Sequence, residues 1–241
     1  MKNFLLIGRF FSFCLLFYLS EVSAMGVIPF VHSFNPGKGN VQYSLTNSNS
    51  EPIAFEVRIF KRKHNMKGED ILEKDTNSFT VFPSQVIVPG NSSRNVKVKW
   101  IGNKDFQNNS NQEQAFRVAF EQFHISLDKK KPKNGATLDI RLRVLASLYM
   151  TPAGAQERFK VVSVKENGNG YSIRVKNEGT AHGSTDKLDA DVSVFGKKYA
   201  LKNILRKEDQ GTVILAGGER EYVVTQESVK ASQTPAPKAK S

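Results

Sequence analysis

The sequence predicts an all-β protein built of two antiparallel sandwiches. Three observations carry this. Apolar residues recur at every second position in many short runs, the period of a strand with one buried face. Clusters rich in Gly, Pro and Asn separate those runs. No stretch of Gly26–Pro152 keeps an apolar period of about 3.6 residues over a helix-sized window.

In chain order, Lys2 and Arg9 precede an apolar run, Phe10–Leu19. Val22-Ser23-Ala24 follows, with small residues at the two positions a signal peptidase reads. The run is too short to span a membrane. Residues 1–24 are therefore expected to be a leader cleaved after Ala24, which exports a soluble chain.

Gly26–His32 reads as a first edge strand, and Asn35–Asn40 as a turn. Val41, Tyr43 and Leu45 alternate before a turn at Asn47–Pro52. Ile53, Phe55, Val57 and Ile59 alternate with Glu56 and Arg58, a half-buried strand. His64–Asn77 is polar and reads as a loop. Phe79–Pro83 is a short strand that Val86–Val88 resumes, and Pro89-Gly90-Asn91 turns again. Val96, Val98 and Trp100 alternate with Lys97 and Lys99. Gly102–Gln112 is a Gln/Asn-rich loop, after which Phe116, Val118 and Phe120 alternate with Arg117 and Glu121. Lys129–Gly135 is a basic turn. About seven short strands over about 125 residues match one immunoglobulin-like domain.

The last strand of that domain stands apart. In Thr137–Pro152, Leu138, Ile140, Leu142, Val144, Ala146, Leu148 and Met150 fall at every second position. Asp139, Arg141 and Arg143 sit between them. Strands usually span about 3–10 residues, and this run reaches roughly 45 Å at about 3.3 Å per residue. A small sandwich does not bury so long a row alone, so part of it is expected to face a groove that something else fills.

A second β region follows the link Ala153–Gln156. Phe159–Lys165 and Tyr171–Lys176 flank Asn167-Gly168-Asn169-Gly170, a hairpin signal. Val192–Phe195, Lys197–Leu201, Val213–Leu215 and Tyr222–Val224 continue it, with Gly217-Gly218 as a turn. The expected organisation is a leader (1–24), a first domain (25–152) carrying the long strand, a second sandwich (153–226) and a disordered tail (227–241).

The full chain carries a formal charge of +12. Removing the leader takes away Lys2, Arg9 and Glu21 and leaves +11. Such a balance favours acidic partners or anionic surfaces; for an exported protein nucleic acid is not the expected one. The single cysteine, Cys14, lies in the leader, so the exported chain has no disulfide or thiol chemistry. His32, His64, His124 and His182 have no metal-ligand spacing, and no G-x-S-x-G elbow or P-loop occurs. The acidic residues form no pair assignable to acid and base roles. His182 reads as a turn residue. No enzyme activity, metal or cofactor is expected.

These blocks resemble the periplasmic pilus chaperones of the chaperone–usher pathway, the PapD-like family, over nearly the whole exported chain. The resemblance rests on Asn47-x-Asn49-Ser50-Glu51-Pro52 with the strand after it, Phe79–Pro83, Val88-Pro89-Gly90, Phe116-Arg117-Val118 with Glu121, and Leu148-Tyr149-x-x-Pro152. In the second domain Asn177-x-Gly179-Thr180 is similar to the family's N-x-T turn. Val57–Lys61 and Arg141-x-Arg143 look more like the archaic, Csu-type branch. Ser84 breaks the family's proline pair after Pro83.

The resemblance implies two immunoglobulin-like domains at an angle with a cleft between them. It also implies donor-strand complementation, in which a chaperone lends a strand to a pilus subunit that lacks its last one. Ungapped transfer puts Leu138, Ile140 and Leu142 in the donor positions, with Val144 next. Two cleft cations of the P-pilus type grip the subunit's C-terminal carboxylate. Here Ser147 stands in place of the lysine, and Val31 and His32 lie near the place of the arginine. Candidate substitutes are Lys97, Lys99, Arg117, Arg141 and Arg143. Implied partners are pilus or fimbrial subunits and an outer-membrane usher, in the periplasm, with a second copy as a self-capping dimer. The competing expectations are a structural or adhesive immunoglobulin-like module of the cell surface, and a periplasmic enzyme or ligand-binding protein.

Overall fold

The computed structural model describes residues 25–35, 39–75, 77–102, 111–123 and 141–233. The leader, the basic turn at 129–135, and Leu138 and Ile140 lie outside the described residues.

The first domain contains β1 (Met25–Ile28), β2 (Val31–Phe34), β3 (Asn40–Asn47), β4 (Ile53–His64) and β5 (Asp70–Lys74). Then come β6 (Phe79–Phe82), β7 (Gln85–Val88), β8 (Ser92–Trp100), β9 (Gln114–Phe123) and β10 (Arg143–Met150). One sheet runs β1-β3-β8-β6; the other runs β2-β10-β9-β4-β5, with β7 also on β4. Alternation does what the sequence predicts. Tyr43, Leu45, Val96, Val98, Phe120 and Leu148 are completely buried between the sheets. Asn47, 1% exposed, closes the corner: its amide donates to Glu51, Val88 and Pro89 carbonyls at 2.9–3.1 Å.

Three details differ from expectation. Val86–Val88 does not resume the strand Phe79–Phe82: β6 pairs with β8 in one sheet and β7 with β4 in the other. The first apolar segment is two strands, β1 in one sheet and β2 in the other, because the chain crosses between sheets at Pro29 and Phe30. The polar stretch His64–Asn77 is not all loop: β5 pairs with Phe60–His64 of a longer β4. Its residues are half-buried or exposed throughout, so no apolar alternation marks it.

The second domain begins at β11 (Phe159–Asn167), which hairpins with β12 (Gly170–Asn177). β13 (Gly183–Ser184), β14 (Asp191–Val194) and β15 (Lys197–Ala200) follow. The chain then forms a short helix α1 (Leu201–Ile204), β16 (Val213–Ile214), β17 (Glu219–Thr225) and helix α2 (Gln226–Gln233). β11-β12-β17 form a three-stranded sheet, and β13-β16 and β14-β15 form pairs. Ile173, Val175, Leu188, Leu201, Ile214 and Val224 centre a separate core. Of the expected tail, residues 227–233 continue as α2, and Val229 packs into this core; the rest, 234–241, lies outside the described residues. One apolar anchor in a polar stretch leaves no legible period.

Candidate functional site

The site is the region where β10 leaves the first core and the second domain meets it. Val144, Ala146, Leu148 and Met150 face the first core, so Ser147 and Tyr149 face the other way. β9 lies antiparallel to β10 and sets Arg117 directly beside Ser147. Arg117 donates to the Ser147 hydroxyl through Nη1 and to Asp70 Oδ2 through Nε at 2.7 Å. From β4, Arg62 donates to Asp70 Oδ1 at 2.7 Å and to the Tyr149 hydroxyl at 2.8 Å.

The cluster is largely covered: the side chains of Arg62, Arg117 and Asp70 are 8%, 16% and 18% exposed. Burial opposes ionisation of Asp70, but the hydrogen bonds and charges of Arg117 and Arg62 outweigh it and hold its carboxyl below the usual value. Its stabilising contribution is therefore present above the ordinary carboxylate range and is lost as pH falls through the lowered value. Two guanidinium charges face one carboxylate. The cluster has one positive charge to spare, which suits a single carboxylate arriving from outside.

The second domain is tied to this wall. Asn177, fully buried, donates to Ala181 and Ile214 carbonyls at 2.8 and 3.1 Å and accepts from Arg158 and Gly179 N–H at 3.0 Å. That turn presents His182, whose ring stacks on Tyr149 at 3.7 Å between centroids and 10° between planes. Glu113 accepts from His182 N–H at 3.0 Å, from His182 Nδ1 at 2.7 Å and from the Thr151 hydroxyl at 2.7 Å. Nearby, Leu215 N–H donates to His64 Nε2 at 3.1 Å. Nδ1 therefore carries the proton and faces the Asn65 carbonyl at 3.0 Å. Gly218 is required at this contact, since a Cβ there would sit 2.7 Å from His64 Nε2.

Burial is the main cause that lowers the His64 pKa. The Asn65 carbonyl opposes it, the charges of Arg220 and Arg62 add to it, and that of Asp70 opposes it. The unfolded chain takes up the proton more readily, so stability is expected to fall as pH drops through about 6.5 and to level off below the lowered folded value. Thermal unfolding followed between about pH 7.5 and about pH 5.5 checks this. His64→Gln, which keeps an acceptor for Leu215, should flatten that slope. An unchanged slope would remove His64 as its source.

β10 has an unequal second edge. β9 covers its whole length, Arg143–Met150. β2 covers only Ser147–Met150, in parallel. Along Arg143–Ala146 no strand lies on that side among the described residues. Exposed apolar side chains flank the opening: Val31 and Phe30, both 57% exposed, where β2 begins, and Leu142, 41% exposed, just before β10. Leu142 does not float: its carbonyl accepts from Gln122 N–H at 2.9 Å and its N–H donates to Gln122 Oε1 at 3.2 Å. Val144 is half-buried against the chain's own core.

The candidate cations separate in space. Arg117 is in the cluster. Arg143 bonds Glu121 at 2.8 Å, within a network that includes Arg58 and Glu56, and lies over the Phe60 ring. Arg141 is exposed ahead of β10. Lys97 and Lys99 lie on β8, in the other sheet. Arg62 and Asp70, which complete the cluster, carry no signal in the sequence: Arg62 lies on β4 beyond its row of buried residues, and Asp70 opens β5, which has no buried row. Among the described residues no group of His, Asp and Glu could hold a metal ion, and no helix is long and apolar enough to cross a membrane.

No family profile and no curated protein sequence matches the chain. Solved structures do. The CsuC–CsuE chaperone–tip adhesion subunit pre-assembly complex of Acinetobacter baumannii is 11% identical, with a TM-score of 0.54, over 83% of this chain and 89% of that one. The complex of SafA pilin with the SafB chaperone from Salmonella enterica is 13% identical, with a TM-score of 0.54, over 86% of each chain. The E. coli chaperone DraB is 14% identical, with a TM-score of 0.52, over 90% and 88%. These likenesses establish the fold as that of the two-domain pilus chaperones, with immunoglobulin-like β-sandwich domains.

Proposed function

We propose that this chain is a periplasmic chaperone that holds pilus or fimbrial subunits by donor-strand complementation and delivers them to an outer-membrane usher. The observation that supports it most is the half-open edge of β10. An incomplete subunit lacks one strand; β10 offers backbone groups along the uncovered edge and an apolar row that continues past its own core. Leu142 is the first residue of that row available to a guest, and Leu138 and Ile140 precede it in phase. Val144 serves the chain's own core as well. Each aliphatic side chain fully buried in a guest adds roughly 1.5–3 kcal/mol. Subunit complexes of proteins with this fold, such as SafA with SafB, favour the same reading. A periplasmic extract that contains the chain, with sheared surface material that lacks it, would separate this reading from a cell-surface module.

Within this reading Arg117, backed by Arg62, is the cation that receives the subunit's C-terminal carboxylate. It replaces a basic residue at Ser147 by reaching across from the neighbouring strand. Arg117→Ala is expected to lower affinity for a subunit by tenfold to a hundredfold, since a charge-assisted hydrogen bond is worth about 1.5–3 kcal/mol. Alanine at Lys97, Lys99, Arg141 or Arg143 should change it less than about twofold. Titration with a subunit whose C-terminal carboxylate is amidated supplies the control. The amidated subunit should bind wild type weakly and lose nothing further with Arg117→Ala. An equal loss against both forms would exclude the carboxylate contact.

A further inference from the structure

The outer face of the four-stranded sheet, on the side away from the β10 edge, holds a second arrangement. On β8, Val96, Val98 and Trp100 point inward, which sends Lys97 and Lys99 outward. Lys99 stands between Asn40 on β3 and Thr80 on β6; Lys97 stands between Gln42 and Phe82. These six residues line a shallow concavity of about 460 Å³. Among the described residues no carboxylate lines it and neither lysine has an ion-pair partner.

A solvated strand face accounts for two lysines. It does not account for Phe82, which leaves 75% of its surface in water beside them. Covering such a ring is favourable by about 25 cal/mol per Å². The site therefore asks for an occupant with both negative charge and an apolar group. Its geometry narrows the choice further. Lys97 and Lys99 are two residues apart on a strand, about 6.6–6.8 Å along it. Carboxylates at alternate positions of an extended peptide repeat at that same spacing. β6 is the end strand of its sheet, so its outer edge can take a partner strand beside Phe82. A flat lipid surface matches neither the concavity nor the spacing.

We propose that this face docks an extended acidic segment of a partner protein, with carboxylates on Lys97 and Lys99 and an apolar side chain against Phe82. The cleft between the domains is left open for its own ligand.

The test uses the exported chain and a fluorescein-labelled decapeptide of alternating Glu and Val with one Phe, followed by anisotropy. Binding should weaken with added salt. Lys97→Glu combined with Lys99→Glu should reduce affinity at least about thirtyfold. Phe82→Ser should reduce it about fivefold and leave the salt dependence as in wild type. Lys165→Glu with Lys202→Glu makes the same charge change on the second domain and should stay within about twofold. Thermal unfolding checks that the variants fold; if the Glu pair does not, Lys97→Gln with Lys99→Gln takes its place. The proposal is overturned if the Lys97/Lys99 pair binds the peptide like wild type, or loses no more than the second-domain pair. It is also overturned if phosphatidylserine vesicles bind through these lysines while the peptide does not.

Discussion

Leu142→Glu is expected to leave a folded protein that no longer co-purifies with a subunit. The side chain is 41% exposed and lies ahead of β10, so its replacement removes little from the free chain. The two hydrogen bonds that hold this position are made by its backbone and survive the change. Stability should move by no more than about 0.5 kcal/mol. In the complex the same residue is assigned to an apolar groove. There the substitution loses the burial of a leucine and forces a carboxylate out of water. Together these cost about 4–6 kcal/mol, three to four orders of magnitude in affinity. Co-expression with subunits encoded beside this chain, then pull-down, reads the result. If capture persists at the wild-type level, Leu142 is not a donor residue and the open edge of β10 serves another purpose.

Glu113→Ala is expected to loosen the two domains from each other. Its side chain is 1% exposed, yet it accepts three hydrogen bonds, two of them from His182 on the second domain. Alanine leaves the His182 N–H and the Thr151 hydroxyl without their acceptor in a covered place. Each orphaned donor costs about 1–3 kcal/mol. His182 is one-quarter exposed and recovers part of this through water. A net loss of about 3 kcal/mol is expected. Because each domain has its own core, the loss should appear as a separation of the unfolding transition into two. Glu113→Gln, which keeps an acceptor and the volume, should lose about half as much. A single transition at the wild-type midpoint for Glu113→Ala would mean that this carboxylate does not hold the domains together.

The two sites differ in how far the sequence reveals them. The long row at Leu138–Met150 is visible in the sequence as a period of two, which burial imposes on its described part, Val144–Met150. The same rule marks Arg117 as a cation facing away from that core. It does not reveal what Arg117 meets. Ser147 lies 30 residues away and Asp70 lies 47 away. Asp70 sits on β5, an edge strand with no apolar row to announce it. Lys97, Lys99 and Arg143 look equivalent to Arg117 in the chain, since all alternate with apolar neighbours. Only strand order sets the first two on a different sheet and gives Arg143 to Glu121.

By itself, the sequence determined the all-β class, most strands of both sandwiches, and the turns at Asn47 and Asn177, because alternation and turn chemistry act over a few residues. The tertiary structure alone decided which cations gather around Asp70, that β2 stops short of covering β10, and that α2 closes the second core. Those outcomes depend on strand order and on contacts between residues far apart in the chain. No local pattern encodes them, because their energy appears only once the sheets have assembled.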